Sequence, residues 1–180
     1  MKYLMAVPLM LHLCMASAYA QQRAVKMTFS GSMVPTSIEV QPNTVTDEEL
    51  LAGSGAPGSF TFRKLRTDET SPQGFGSCGV PNSFGPILRV VAGGGVFRFE
   101  DGSLLTVLLT DGTLCIDVHD VNQPVGYLTE NYQVTGGTLR LASASGALRL
   151  TGRIMPVMFS ASGAVVLLTD SGQIEGTLTP

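Results

Sequence analysis

The sequence predicts an all-β domain, an antiparallel sandwich or barrel. Three observations lead there. Turn dipeptides recur at intervals of roughly ten residues, the spacing expected of short strands in a sandwich or barrel. Between them lie short runs that alternate apolar and polar residues. Two cysteines remain once an N-terminal export segment is set aside.

The dipeptides are Asp101-Gly102, Asp111-Gly112, Gly136-Gly137, Ser145-Gly146, Ser162-Gly163 and Ser171-Gly172. Asp-Gly between apolar runs is a strong hairpin signal, because glycine accepts the positive φ of a tight hairpin turn. Each pair is therefore expected at a turn. Gly93-Gly94-Gly95 reads as a further turn between strands, since it lacks the Lys-Ser/Thr of a phosphate-binding loop.

The runs between these signals read as strands. Val96-Phe97-Arg98-Phe99 places both phenylalanines on one face. Leu114, Ile116 and Val118 share a face opposite Cys115, Asp117 and His119. Ala147-Leu148-Arg149-Leu150 alternates again. Leu104–Leu109 and Val165–Leu168 are apolar on both faces, as in strands covered inside and out. Upstream strands are expected at Val25–Phe29, Ser59–Arg63 and Ile87–Val91. Ser30–Gly58 is broken by prolines and glycines, and Thr46-Asp47-Glu48-Glu49-Leu50-Leu51 reads as one helical turn capped by Thr46 or Asp47. A second loop is expected from Arg66 to Pro86.

Residues 1–20 read as a secretory signal peptide. Lys2 precedes an apolar stretch from Leu4 to Ala16, and Ala18-Tyr19-Ala20 is a small-x-small cleavage site. The apolar stretch is too short to span a bilayer, where roughly 18 apolar residues are needed. Leu11-His12-Leu13 before Cys14 argues against a lipid-anchored cysteine. Residues 21–180 then form one domain, periplasmic or secreted. Loss of Lys2 leaves ten basic against fourteen acidic residues. Arg63, Lys64 and Arg66 are the only basic cluster, too little for a nucleic-acid partner.

Cys78 and Cys115 are the remaining cysteines, and an even count in an exported chain points to a disulfide; the alternative is two buried thiols. Such a bond closes a loop of about 37 residues and stabilises by roughly 3–4 kcal/mol on the loop-entropy account. No CxxC spacing suggests redox or zinc chemistry.

The stretch Gly126-Tyr127-Leu128-Thr129, then Tyr132-Gln133-Val134-Thr135-Gly136-Gly137-Thr138, then Ala142-Ser143-Ala144-Ser145-Gly146 resembles the allene oxide cyclase barrel family and its dirigent relatives. Leu139 stands where that family carries Gly, and Leu141 and Ser143 where it carries Phe and Gly. The resemblance implies an eight-stranded antiparallel up-and-down β-barrel with an apolar interior, often oligomeric. No catalytic residue transfers with it. Apart from the resemblance, the hairpin turns at Gly136-Gly137 and Gly146 predict strands at about Leu128–Val134, Leu139–Ala142 and Ala147–Arg153, paired in sequence order.

Chemistry is sparse in the sequence. His119 is the one histidine past the signal segment and reads as a solvated loop residue; no Gly-x-Ser-x-Gly elbow accompanies it. No cofactor or metal is called for. Glu130 and Tyr132 share one face of a strand, while Tyr127 and Asn131 share the other. Whichever face points inward offers ligand-binding groups, and a register slip of one residue reverses the choice. Two functions compete: a barrel binding a small apolar ligand or a protein partner, and a cyclase or isomerase that folds an apolar substrate by pocket shape. The exported protein is expected to begin at Gln21. Intact mass of protein recovered from the host's envelope or medium checks this, and retention of residues 1–20 would overturn export.

Overall fold

The computed structural model describes residues 22–120 and 123–179, so the expected signal segment lies outside the described residues. Nine antiparallel strands carry the fold: β1 (Arg23–Pro35), β2 (Thr44–Ala56), β3 (Phe60–Glu69), β4 (Gly74–Gly76), β5 (Gly85–Phe99), β6 (Leu104–Asp117), β7 (Val125–Gly137), β8 (Ser145–Phe159) and β9 (Val165–Thr179). Neighbours pair in the order β3-β2-β1-β9-β8-β7-β6-β5-β4, and β3 also pairs with β5. That last pairing closes an eight-stranded up-and-down barrel, as expected, and leaves β4 as a short flap on the start of β5. Closure removes the sheet edges that would otherwise offer unpaired backbone groups.

Several expected turns are strand interiors. Gly93-Gly94-Gly95 lies inside β5, which runs unbroken through the segments expected as two strands. Gly112 lies inside β6 and Gly172 inside β9. The physical reason is crowding of neighbouring strands. A Cβ on Gly95 would sit 2.5 Å from the Arg63 carbonyl oxygen, and one on Gly172 would sit 2.0 Å from that of Thr151. These glycines are where strand backbones approach too closely for a side chain. True turn glycines are Gly102 and Gly163, both at φ 82°. Around the Asp101-Gly102 turn, the Ser103 backbone N–H donates to Asp101 Oδ1 at 2.9 Å.

The expected helical turn at Thr46–Leu51 is strand β2, and Arg66–Glu69 belongs to β3, not to a loop. An acidic run suits a helix start, but here the acids meet cations across the sheet. Asp47 stands opposite Arg66 and Glu49 opposite Lys64 in the β2–β3 register. Cross-strand opposite charges stabilise such pairs.

Leu148 and Leu150 are buried, with Arg149 exposed between them. The strand expected at Leu139–Ala142 is instead a single 3-10 turn, Leu139–Leu141, and β7 pairs directly with β8. Gly136 and Gly137 end β7, whereas Gly146 opens β8 at φ 144°. Leu108 is 57% exposed, so the outer face of β6 is uncovered around its middle.

Cys78 and Cys115 form a disulfide with Cα atoms 5.2 Å apart, inside the usual range. It ties the β4–β5 loop to the outer face of β6.

The two ends of the barrel differ. One is filled by Phe60, Phe62, Phe97 and Phe99, with Phe62 and Phe97 stacked at 3.8 Å between centroids. Buried Leu141 of the 3-10 turn plugs it, and Arg140 reaches Asp101 and lies over the Phe99 ring. The other end, where β1 meets β2 and β8 meets β9, is the mouth.

Leu139 holds φ at 52° while 68% exposed, so it bears left-handed backbone strain with little burial in return. Leu139→Gly is expected to stabilise by up to ~1 kcal/mol, the relief of left-handed strain less the entropy that glycine adds to the unfolded chain. Urea denaturation measures it; a loss of more than ~1 kcal/mol would show that the turn depends on the leucine side chain.

Candidate functional site

The inward faces of four strands carry the unusual residues. β3 alternates Phe60, Phe62, Lys64, Arg66 and Asp68 toward the lumen, passing from the aromatic end to the mouth. β2 contributes Asp47 and Glu49 from one side. β7 contributes Glu130 and Tyr132 from across the barrel, and β9 contributes Asp170. Five buried carboxyl groups thus face two buried cations.

Lys64 is the hub of the deeper layer. Its Nζ lies 3.1 Å from Glu49 Oε2 and donates to Glu130 Oε2. Tyr132 donates its hydroxyl proton to the same Glu130 oxygen at 2.8 Å, while its ring packs edge-on against Phe62. Tyr132 therefore joins the aromatic filling to the ionic layer. Arg66 organises the upper layer. Its Nη1 lies 3.0 Å from Glu49 Oε1, and its Nη2 lies 3.0 Å from Asp47 Oδ2 and 2.9 Å from Asp68 Oδ2. Glu49 bridges both cations.

Burial and neighbouring charge set the protonation states. Burial pushes Asp47 up to about 6, against the pull of Arg66. Burial also raises Asp68, more than Arg66 lowers it. Burial and then the charge of Glu49 push Asp170 up to about 8, so it holds its proton at neutral pH. Burial would raise Glu49 too, but Lys64 and Arg66 outweigh it and hold this carboxyl below its ordinary value. Burial disfavours the Lys64 charge, yet Glu130 and Glu49 overcome that and raise it. Tyr132 is driven well above the usual phenol range by burial and by Glu130.

Space for the Asp170 carboxyl comes from β8. A Cβ on Gly152 would stand 2.6 Å from Asp170 Oδ1. A larger residue there would displace the acid.

Above the ionic layer the mouth opens into a cavity of about 260 Å³. Met33, Leu114, Ile116, Ile154 and Leu168 supply apolar wall. Asp47, Arg66 and Asp68 supply its polar part. Asp68 Oδ1 has no hydrogen-bond partner among the described residues, although Asp68 is only 6% exposed.

Of the residues singled out from the sequence, Glu130 and Tyr132 point into the lumen within the ionic layer. Tyr127 and Asn131 lie on the outer face, where Asn131 donates to Asp111 Oδ1 at 2.7 Å. They do not join the site, because alternate residues of a strand face opposite sides of the wall. Asp47, Glu49, Lys64, Arg66, Asp68 and Asp170 were missed. A signal existed for three of them: Lys64, Arg66 and Asp68 continue the alternation begun by Phe60 and Phe62. His119 is exposed. Among the described residues no three His, Cys, Asp or Glu side chains are grouped to hold a metal ion.

Comparison with family models, with curated proteins and with solved structures found no match.

An acid whose folded pKa exceeds its unfolded value binds its proton in the fold, so its contribution falls as pH rises between the two values. For Asp170 that window runs from 3.8 to about 8, and for Asp47 from 3.8 to about 6. Glu49 has the opposite sign, but its contribution is already full above its ordinary value of 4.5. Thermal stability is therefore expected to fall as pH rises from about 6 to about 8, by at most ~1.4 kcal/mol per pH unit for the proton on Asp170. Asp170→Asn, a neutral mimic, should flatten that slope. Calorimetric melting at a series of pH values checks this, and an unchanged slope would mean that Asp170 is ionised in the fold.

Proposed function

We propose that this chain is an exported barrel that binds one small, largely apolar molecule in its mouth. The observation that carries the reading is the pairing of apolar walls with a few convergent polar groups at Asp47, Arg66 and Asp68. Ligand sites combine these two features: apolar surface contributes affinity and a few polar groups fix orientation. At about 260 Å³ the cavity lies near the small end of ligand sites, generally ~300–1,000 Å³. Eight-stranded barrels have room for either filling side chains or one small ligand, and this one has both in separate layers. Export rests on the signal-peptide pattern and agrees with a chain that carries a disulfide.

The resemblance to the allene oxide cyclase barrel family supports a second reading, cyclisation or isomerisation of the bound molecule. One feature favours it: Asp47, raised to about 6, lines the cavity where it can take or give a proton near neutral pH. Glu130 and Tyr132 serve either function from below, by holding Lys64 and hence Glu49 in place.

Incubating the protein with a total lipid extract and identifying what it retains by mass spectrometry tests both readings. A small apolar molecule is expected to be retained, and Leu168→Trp, which fills the cavity, should reduce retention at least tenfold. A molecule recovered unchanged supports binding, and one recovered rearranged supports catalysis. Retention equal in the variant would place the ligand elsewhere.

A further inference from the structure

Resting on the mouth as a binding site, we infer that its ligand carries a hydrogen-bond-donor head group, an amine foremost, and that carboxylates are excluded. Among the described residues Arg66 is the one cation lining the cavity, and it is ion-paired on both amino groups, although its Nη1 meets Glu49 at 3.0 Å without hydrogen-bond alignment. Three carboxylates surround it: Asp47 and Asp68 on Nη2 and Glu49 on Nη1. Asp47 and Asp68 also line the cavity beside it. An anionic head approaching Arg66 would meet these two carboxylates at the same contact distance, within low-dielectric walls that screen repulsion poorly.

A donor head meets the reverse. Asp68 uses Oδ2 for Arg66, accepting from Nε and lying 2.9 Å from Nη2. Its Oδ1 is left without a partner among the described residues, in a side chain 8% exposed. Buried acceptors are nearly always satisfied, so an unpartnered one on a residue that lines a ligand-sized space favours a donor there. An ammonium supplies donors and also offsets the local excess of negative charge. An alcohol supplies one donor without the charge. The apolar walls take the chain that follows the head, and Leu168 and Ile154 lie on the path between polar base and mouth.

The test compares three probes of equal chain length, octylamine, octanol and octanoate, by isothermal titration calorimetry of the whole protein near neutral pH. Octylamine is expected to bind tightest, octanol next, and octanoate at least tenfold more weakly than octylamine. Asp68→Asn, which removes the charge and keeps the shape, should narrow the gap between octylamine and octanol at least threefold. Octanoate binding as tightly as octylamine would overturn the head-group inference while leaving the cavity as a binding site. Binding of none of the three would overturn the binding site itself. Should Asp68→Asn fail to fold, the ranking of the three probes on the unaltered protein decides the matter.

Discussion

Lys64 sits in the middle of the barrel with no exposed side-chain surface, between Glu49 and Glu130. An ammonium taken out of water loses several kcal/mol of hydration, and only close counter-charges recover it. Those counter-charges come from β2 and from β7, on opposite walls. Much of the interior follows from keeping this cation satisfied. Tyr132 caps the second acid, Arg66 shares the first, and Asp170 stays protonated beside them. Removing Lys64 or Arg66 would leave buried carboxylates short of their counter-charge, the most destabilising kind of polar change.

The ionic layer also divides the barrel by function. Below it the phenylalanines of β3 and β5 pack as an ordinary core, and dispersion and apolar burial hold the wall together. Above it the same wall is apolar but unfilled, which leaves the cavity. A barrel filled throughout by side chains would be more stable and have no site. One empty throughout would lose the packing that fixes strand register. The glycines at inward positions share in this arrangement, since Gly152 gives Asp170 its room and Gly95 relieves the wall beside Lys64.

Polar groups at the base of the mouth are positioned by rigid strands and by one another, not by loops. Asp47 of neighbouring β2 and Asp68 of Arg66's own strand flank Arg66, so its guanidinium plane is held on several edges. For the proposed ligand such a base would be pre-organised and would add little ordering cost on binding. Its charge pattern is lopsided toward acid, the asymmetry on which the proposed head-group preference rests.

Alternation and turn chemistry in the sequence were enough to reach the all-β class, an antiparallel sandwich or barrel and the disulfide, because these depend on local pattern and on a count of two cysteines; the eight-stranded barrel was what the family resemblance implied. Leu148 and Leu150 against Arg149 were legible for the same reason. The glycines were not, since a glycine at a turn and a glycine beneath a neighbouring backbone look alike until the neighbour is known. Gly95 and Gly172 were therefore read as turns. The acidic run at Asp47 and Glu49 looked helical until Arg66 and Lys64 stood opposite it across the sheet. Glu130 and Tyr132 could be paired on one face from sequence, but which face pointed inward was decided by closure of the barrel. The ionic layer joins residues up to 121 positions apart, Glu49 to Asp170. Only tertiary structure could assemble it, because a buried charge is tolerable solely where distant strands bring its partners within contact.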